Sequence, residues 1–170
     1  MNTNEKYTLA DEVIEHAIKC GAEQASATIL DNRSTEIEIR DQKIDSLKES
    51  NQRSLSISIY AEKKYSSHST NRMKKEELFR FIEEAVAATR YLAADEYRAL
   101  PDPDLYYKGG GPELDTYDPA IETLDAKTKI DLANQVLNEA YNKDERIISV
   151  SSYYSDNLTS WVKVTSNGFR

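Results

Sequence analysis

The chain has 170 residues, of which 39% are hydrophobic and 31% charged, and its formal net charge is −8. That length supports a globular domain with a core of its own, and the composition is too apolar for a disordered chain. The acidic balance repels phosphate backbones and anionic headgroups, which argues against nucleic-acid or membrane-surface binding through overall charge.

The N-terminal stretch MNTNEKYTLADEVIE lacks the apolar core of a signal peptide, and no run reaches the ~20 apolar residues of a membrane span. The single cysteine, Cys20, rules out an intrachain disulfide and fits a reducing compartment. The expected location is the cytoplasm, with no membrane and no nucleic-acid partner.

Residues 8–20 carry apolar side chains at helical spacing: Leu9, Val13, Ala17 and Cys20, with Ile14 and Ile18 beside them. Thr8 is the predicted cap, and Gly21 the left-handed terminator. The period then changes to two. Ala25, Ala27 and Ile29, then Thr35, Ile37 and Ile39, then Leu55, Ile57 and Ile59 alternate with polar residues, which predicts strands within 24–70 with one buried face. Asp31-Asn32 reads as a turn between the first two runs. A further strand is predicted at Tyr65 to Thr70, after a charged turn at Ala61 to Lys64.

Helical spacing returns over 73–92, with Leu78, Ile82, Ala85, Val86 and Thr89 as the inner stripe, Phe79 beside it and Asn71 as the cap. Periodicity fails over 95–123, which holds all four prolines and the run Gly109-Gly110-Gly111, so this is a long surface loop. A third helix is predicted over 125–142, with Ile130, Ala133, Val136, Leu137 and Ala140 inward. Strands follow within 147–166, folded around Asp156-Asn157 as a hairpin. The order predicts an α+β fold, an antiparallel or mixed sheet packed against about three helices, in a single domain spanning 1–170.

Residues able to carry chemistry are sparse. His16 and His68 stand far apart, and neither is followed one helical turn later by a second histidine, as a zinc-peptidase helix requires. Each reads as a surface or boundary residue. Cys20 lies near a helix C-terminus, which disfavours a thiolate, so it reads as a small hydrophobe. The glycine run is followed by Pro112 and acidic residues rather than a helix start, and is no phosphate cradle. Asp102, Asp104, Asp115 and Asp118 lack the spacing of a calcium loop. The eleven tyrosines are scattered without basic partners, and Trp161 reads as a core or interface anchor. No residue is therefore assigned as catalytic, cofactor-binding or metal-binding, and the chain is expected to bind no stoichiometric zinc.

Several segments taken in order carry a resemblance. They are KCGAEQASA, the run STEIEIRDQKIDSLKESNQRSLSISIY, YSSHSTN with the helix after it, PELDTYDP, and SWVKVTSNGF. Together they resemble the N-terminal domain of the TldD/PmbA metallopeptidase family, PmbA-like members more than TldD-like ones. Gln42 stands where the family has a glycine, Ser56-Ile57-Ser58 replaces a strand richer in glycine and arginine, and Lys64-Tyr65 replaces a glycine-bearing turn.

The resemblance implies a non-catalytic N-terminal domain with a C-terminal domain after residue 170, in a protein of cytoplasmic proteolysis that matures or degrades peptides. "Modulator of DNA gyrase" is an older label for the family. TldD-like members carry an H-E-x-x-x-H zinc motif in the later domain, and PmbA-like members pair with them. Any zinc is thus expected in the full-length protein or its partner, the assembly is a homo- or hetero-oligomer with a TldD-like partner, and the substrate is a peptide. By this reading the chain alone is inactive. The alternative is a free-standing peptide-binding or assembly module that uses an exposed strand edge. Residues 158–170, which end in the Ser166-Asn167-Gly168-Phe169 turn and leave Phe169 with no strand to pair with, are expected to form the junction to the later domain.

Overall fold

The computed structural model describes residues 1–109 and 111–170. Helix α1 spans Thr3–Lys19 and starts five residues before the predicted position. The reason is a capping box: the Asn2 side chain accepts from the Glu5 N–H at 2.9 Å, and the Glu5 carboxylate accepts from the Asn2 N–H at 2.8 Å. Thr8, the predicted cap, lies inside the helix and donates to the Asn4 carbonyl. The helix ends as predicted at Gly21, whose φ of +101° suits glycine. There the Ala22 N–H reaches Ala17 O and the Gly21 N–H reaches Ile18 O, a Schellman pair that satisfies the last carbonyls.

Strands β1 (Gln24–Arg40) and β2 (Lys43–Ala61) are longer than the alternating runs suggested. Asp31-Asn32 makes no turn. The Asp31 carboxylate is taken by Lys6 and Arg53, so it is not free to cap a local bend. The turn instead falls at Asp41-Gln42, both left-handed, with φ of 47° and 64°. A second two-residue turn at Glu62-Lys63, φ 52° and 58°, leads into β3 (Lys64–Thr70). Left-handed backbone at both central residues matches the right-handed twist of a hairpin. Strand β3 pairs antiparallel with β2, with Ile57 opposite His68 and Tyr60 opposite Tyr65.

Helix α2 (Lys75–Thr89) buries Leu78, Ile82, Ala85, Val86 and Thr89, the predicted stripe. Asn71 is not its cap. Lys74 occupies that position without a side-chain bond, and Glu76 and Glu77 supply the negative charge favoured in the first turn. The stretch after α2 contains a 3₁₀ turn at Pro103–Leu105 and the short helix α3 (Ala120–Thr123). Of the glycine run, Gly110 lies outside the described residues. Helix α4 is Ala126–Asn138, capped by Asp125, which accepts from the Thr128 N–H at 2.7 Å.

The last strand, β4 (Ser151–Thr165), is continuous, so the predicted hairpin at Asp156-Asn157 is absent. The Asp156 carboxylate is held by Lys129 and Tyr154 and does not fold back on its own backbone. Ile147 and Ile148, predicted as strand, precede β4 and are exposed, Ile148 almost fully. The strand order among the described residues is β3-β2-β1-β4. Bonds joining Asp41 to Val150, Asn32 to Thr159 and Ala25 to Ser166 advance in opposite senses, so β4 runs antiparallel to β1. The fold is therefore α+β with an antiparallel sheet. No helix of the described residues is long and apolar enough to cross a membrane.

Contacts group the chain into two compact units. One comprises Asn32–Asn51 and Gly111–Thr159, and the other holds the remaining described residues. In the latter, Ala10, Val13 and Ala17 of α1 and Leu78, Ile82 and Val86 of α2 join Ala25, Ala27 and Ile29 of β1, Leu55, Ile57 and Ile59 of β2, and Val162 and Val164 of β4. Each large aliphatic side chain removed from water in this way contributes about 1.5–3 kcal/mol. The former has a smaller core of Ile37, Ile39, Ala133 and Leu137, with Ile130, Tyr141, Val150 and Tyr154 against it. Val136, predicted inward, is 63% exposed, because α4 turns Lys129, Ala133 and Leu137 toward the sheet instead.

Candidate functional site

His16, read from sequence as a surface or boundary residue, and Cys20, the C-cap of α1, stand one turn apart beside α2. His16 Nε2 lies 3.1 Å from Glu83 Oε1. The imidazole stacks on Phe79, with ring centroids 4.2 Å apart and planes 11° from parallel. Lys75 Nζ sits 5.4 Å above the same Phe79 ring and pairs with Glu12 at 2.8 Å. Burial, and then the Glu83 charge, push the Cys20 thiol up, so it is no poised nucleophile. Spacing along the chain gave no sign that His16 and Cys20 share a partner, because Glu83 comes from a helix more than sixty residues later. Among the described residues this is the one group of three metal-capable donors.

His68 is engaged elsewhere. Its Nε2 lies 2.8 Å from Ser66 Oγ, and its ring meets Phe81 edge-on. Ser66 in turn bonds Thr89 at 2.5 Å, tying β3 to α2.

The same unit holds an ionic cluster around Asp31. Lys6 Nζ, almost fully buried, lies 3.0 Å from Asp31 and donates to Ser160 Oγ at 2.8 Å, while Arg53 pairs with the other carboxylate oxygen. Burial works to raise the Asp31 carboxyl, but the hydrogen bonds and charges of Arg53 and Lys6 outweigh it and hold the group below the usual carboxylate range.

The C-terminal turn is also closed locally. Tyr106 OH and Thr165 Oγ1 both donate to Asn167 Oδ1 at 2.8 Å, and Asn167 donates to the Pro101 carbonyl. Phe169 is not stranded: it packs on Tyr106 at 4.8 Å between centroids, and its carbonyl accepts from the Thr165 N–H. Trp161 is 60% exposed and so is not a core anchor.

In the other unit Lys129 and Asp156 form a 2.7 Å ion pair with side chains 2% and 6% exposed. Lys129 also donates to Thr35 Oγ1 at 2.9 Å, and Tyr154 OH donates to Asp156 at 2.9 Å. Burial and the Asp156 hydrogen bond push the Tyr154 phenol up to about 12. Sequence reasoning missed this network, since a lysine between apolar helix positions reads as solvated. Three of the four loop acids are bonded within their own segment: Asp102 accepts from the Asp104 N–H, Asp104 pairs with Lys108, and Asp118 accepts from the Ala120 N–H. Both ionic networks pair every charge with an opposite charge, which serves to hold elements together rather than to move protons.

Residues 25–89 match the family described as PmbA/TldA metallopeptidase domain 1. The metalloprotease PmbA homolog of Haemophilus influenzae is 30% identical over 154 residues, which are 91% of this chain and 33% of that protein. A crystal structure of a proposed modulator of DNA gyrase from Bacteroides thetaiotaomicron superposes with a TM-score of 0.94 at 42% identity, over 99% of this chain and 38% of that one. TldE from Thermococcus kodakarensis shares the fold, with a TM-score of 0.63 at 16% identity over 94% of this chain and 35% of that one. The fold and these matches define a first domain of PmbA/TldD type. The chain belongs to the TldD/PmbA family, and it spans about a third of the length of the curated relative it matches.

Proposed function

We propose that the chain acts as the non-catalytic first domain of a PmbA/TldD-type protein in cytoplasmic proteolysis, where peptides are matured or degraded. Its work in this reading is to position the domain that follows it in its relatives, and to help form an oligomer with a TldD-like partner that holds zinc and cleaves the peptide. The observation that carries the reading is the match to the Bacteroides protein over 99% of this chain but 38% of that one. The pairing of Lys6, Arg53 and Lys129 with Asp31 and Asp156 supports it, since those groups are committed to structure. The net charge of −8 weighs against direct action on DNA. Digestion of casein or an unfolded peptide by the purified chain tests the reading. No cleavage is expected with or without added zinc, and metal-dependent cleavage overturns it.

A second reading has one feature in its favour. Strand β4 is an outer strand in the sheet order, 15 residues long, and carries the exposed Tyr153 and Trp161. An edge of that length can accept an extended peptide by strand addition. Tight binding of unfolded peptides by the chain alone, lost on placing proline in β4, would favour it.

A further inference from the structure

We propose that His16 Nε2, Cys20 Sγ and a Glu83 carboxylate oxygen form a zinc site that clamps the C-terminal end of α1 to α2. The three donor atoms all lie within 4.8 Å of one another. In a tetrahedral zinc site with bonds of about 2.0–2.3 Å the donors stand roughly 3.3–3.8 Å apart. The cluster thus needs to close by about 1–1.5 Å at most. This runs against the sequence expectation that the chain holds no zinc.

Three features favour a site over a chance meeting of side chains. His16 and Cys20 are one helical turn apart, so both project from the same face of α1. The imidazole is fixed by its stacking on Phe79, which aims Nε2 at Glu83 instead of leaving the ring to rotate. The His16 side chain is 19% exposed and that of Glu83 57%, so the site is partly dry yet open to an entering ion.

The donor chemistry selects the metal. Thiolate, imidazole and carboxylate together suit zinc, whereas calcium and magnesium take oxygen donors. The thiolate and carboxylate balance the charge of a divalent cation. Binding releases the Cys20 proton, and the cation supplies the charge that makes the thiolate stable in spite of burial and Glu83. Three protein ligands leave a fourth position, on the exposed Glu83 side, for water. The inference rests on α1 and α2 alone and stands or falls independently of the proposed role in proteolysis.

The test uses the metal-stripped chain, titrated with zinc against a chromophoric chelator and, separately, with cobalt. One zinc per chain is expected, with a cobalt spectrum of tetrahedral intensity and a thiolate charge-transfer band. Cys20→Ser abolishes that band, and Glu83→Gln and His16→Ala each weaken zinc binding by about tenfold or more. Glu83 is exposed, so Glu83→Gln reports on the site even if another variant folds poorly. Substoichiometric uptake, a cobalt spectrum without the thiolate band, or unchanged affinity in Cys20→Ser and Glu83→Gln overturns the proposal and marks the zinc as adventitious.

Discussion

Lys129 on α4 and Asp156 on β4 meet at 2.7 Å with both side chains nearly out of water. A buried pair of this kind is costly to break and cheap to replace as a whole. Lys129→Ala leaves the Asp156 charge buried without its partner and is expected to cost about 3–5 kcal/mol. The double change Lys129→Met with Asp156→Leu removes both charges and is expected to lie close to the parent chain or above it. Urea midpoints of the single and double variants check this. A double variant as unstable as Lys129→Ala contradicts it.

Acid stability follows from the same carboxylates. Asp31 and Asp156 both titrate below the usual carboxylate range in the folded chain. Burial opposes this, but the hydrogen bonds and charges of Arg53 and Lys6 at Asp31, and of Lys129 and Tyr154 at Asp156, outweigh it. The unfolded carboxyls therefore take up protons first as pH falls. Their contribution is complete above about pH 4, the unfolded value for aspartate, and is lost as pH drops through the lower folded values. Unfolding free energy measured from neutral pH downward is expected to fall in that acid window, and the slope is expected to flatten in Asp31→Asn and Asp156→Asn.

Register gives a sharp contrast within β2. Ile57 is fully buried and Ser56 exposed. Ile57→Asp loses apolar burial and buries an unpaired carboxylate, for a cost on the order of 3 kcal/mol or more, while Ser56→Asp stays within about 0.5. Equal shifts in urea midpoint would show the strand to be turned over.

The hairpin turns carry strain that glycine can relieve. Gln42 and Lys63 hold left-handed backbone with side chains attached, at φ of 64° and 58°. Left-handed backbone costs a non-glycine residue about 1–2 kcal/mol, and glycine costs about 0.5–1 in lost chain entropy. Gln42→Gly and Lys63→Gly are each expected to raise stability by about 0.5–1 kcal/mol on thermal or urea unfolding. Asp41→Gly is expected to lower it despite the same backbone, because the Asp41 carboxylate accepts from the Val150 N–H and Ser149 Oγ.

The elements that could be read from sequence are those in which burial follows a period. Leu78, Ile82, Ala85, Val86 and Thr89 on α2, and Leu55, Ile57 and Ile59 on β2, repeat at 3.6 and at 2, and each is buried. Errors fall where a side chain with turn chemistry is taken by a distant partner. Asp31 and Asp156 both sit in Asp-Asn pairs that read as turns, yet Lys6, Arg53 and Lys129 hold the two carboxylates and the strands run through. The same blindness to long-range pairing hid Lys129 and rotated the expected face of α4, leaving Val136 in solvent. His16 and Cys20 were legible as residues able to carry chemistry, but their meeting with Glu83 depends on how α1 packs on α2, which no local pattern encodes.

The central claim is that this chain serves a longer PmbA/TldD-type protein as its first domain. A domain exchange tests it most directly. This chain replaces the first domain of the Bacteroides relative, to which it is 42% identical, and the chimera is assayed with a TldD-like partner for association and for digestion of an unfolded peptide. The account predicts that the chimera associates and supports digestion as the intact relative does, while deletion of the first domain abolishes both. A folded chimera no better than the deletion, beside an intact relative that works, would contradict it.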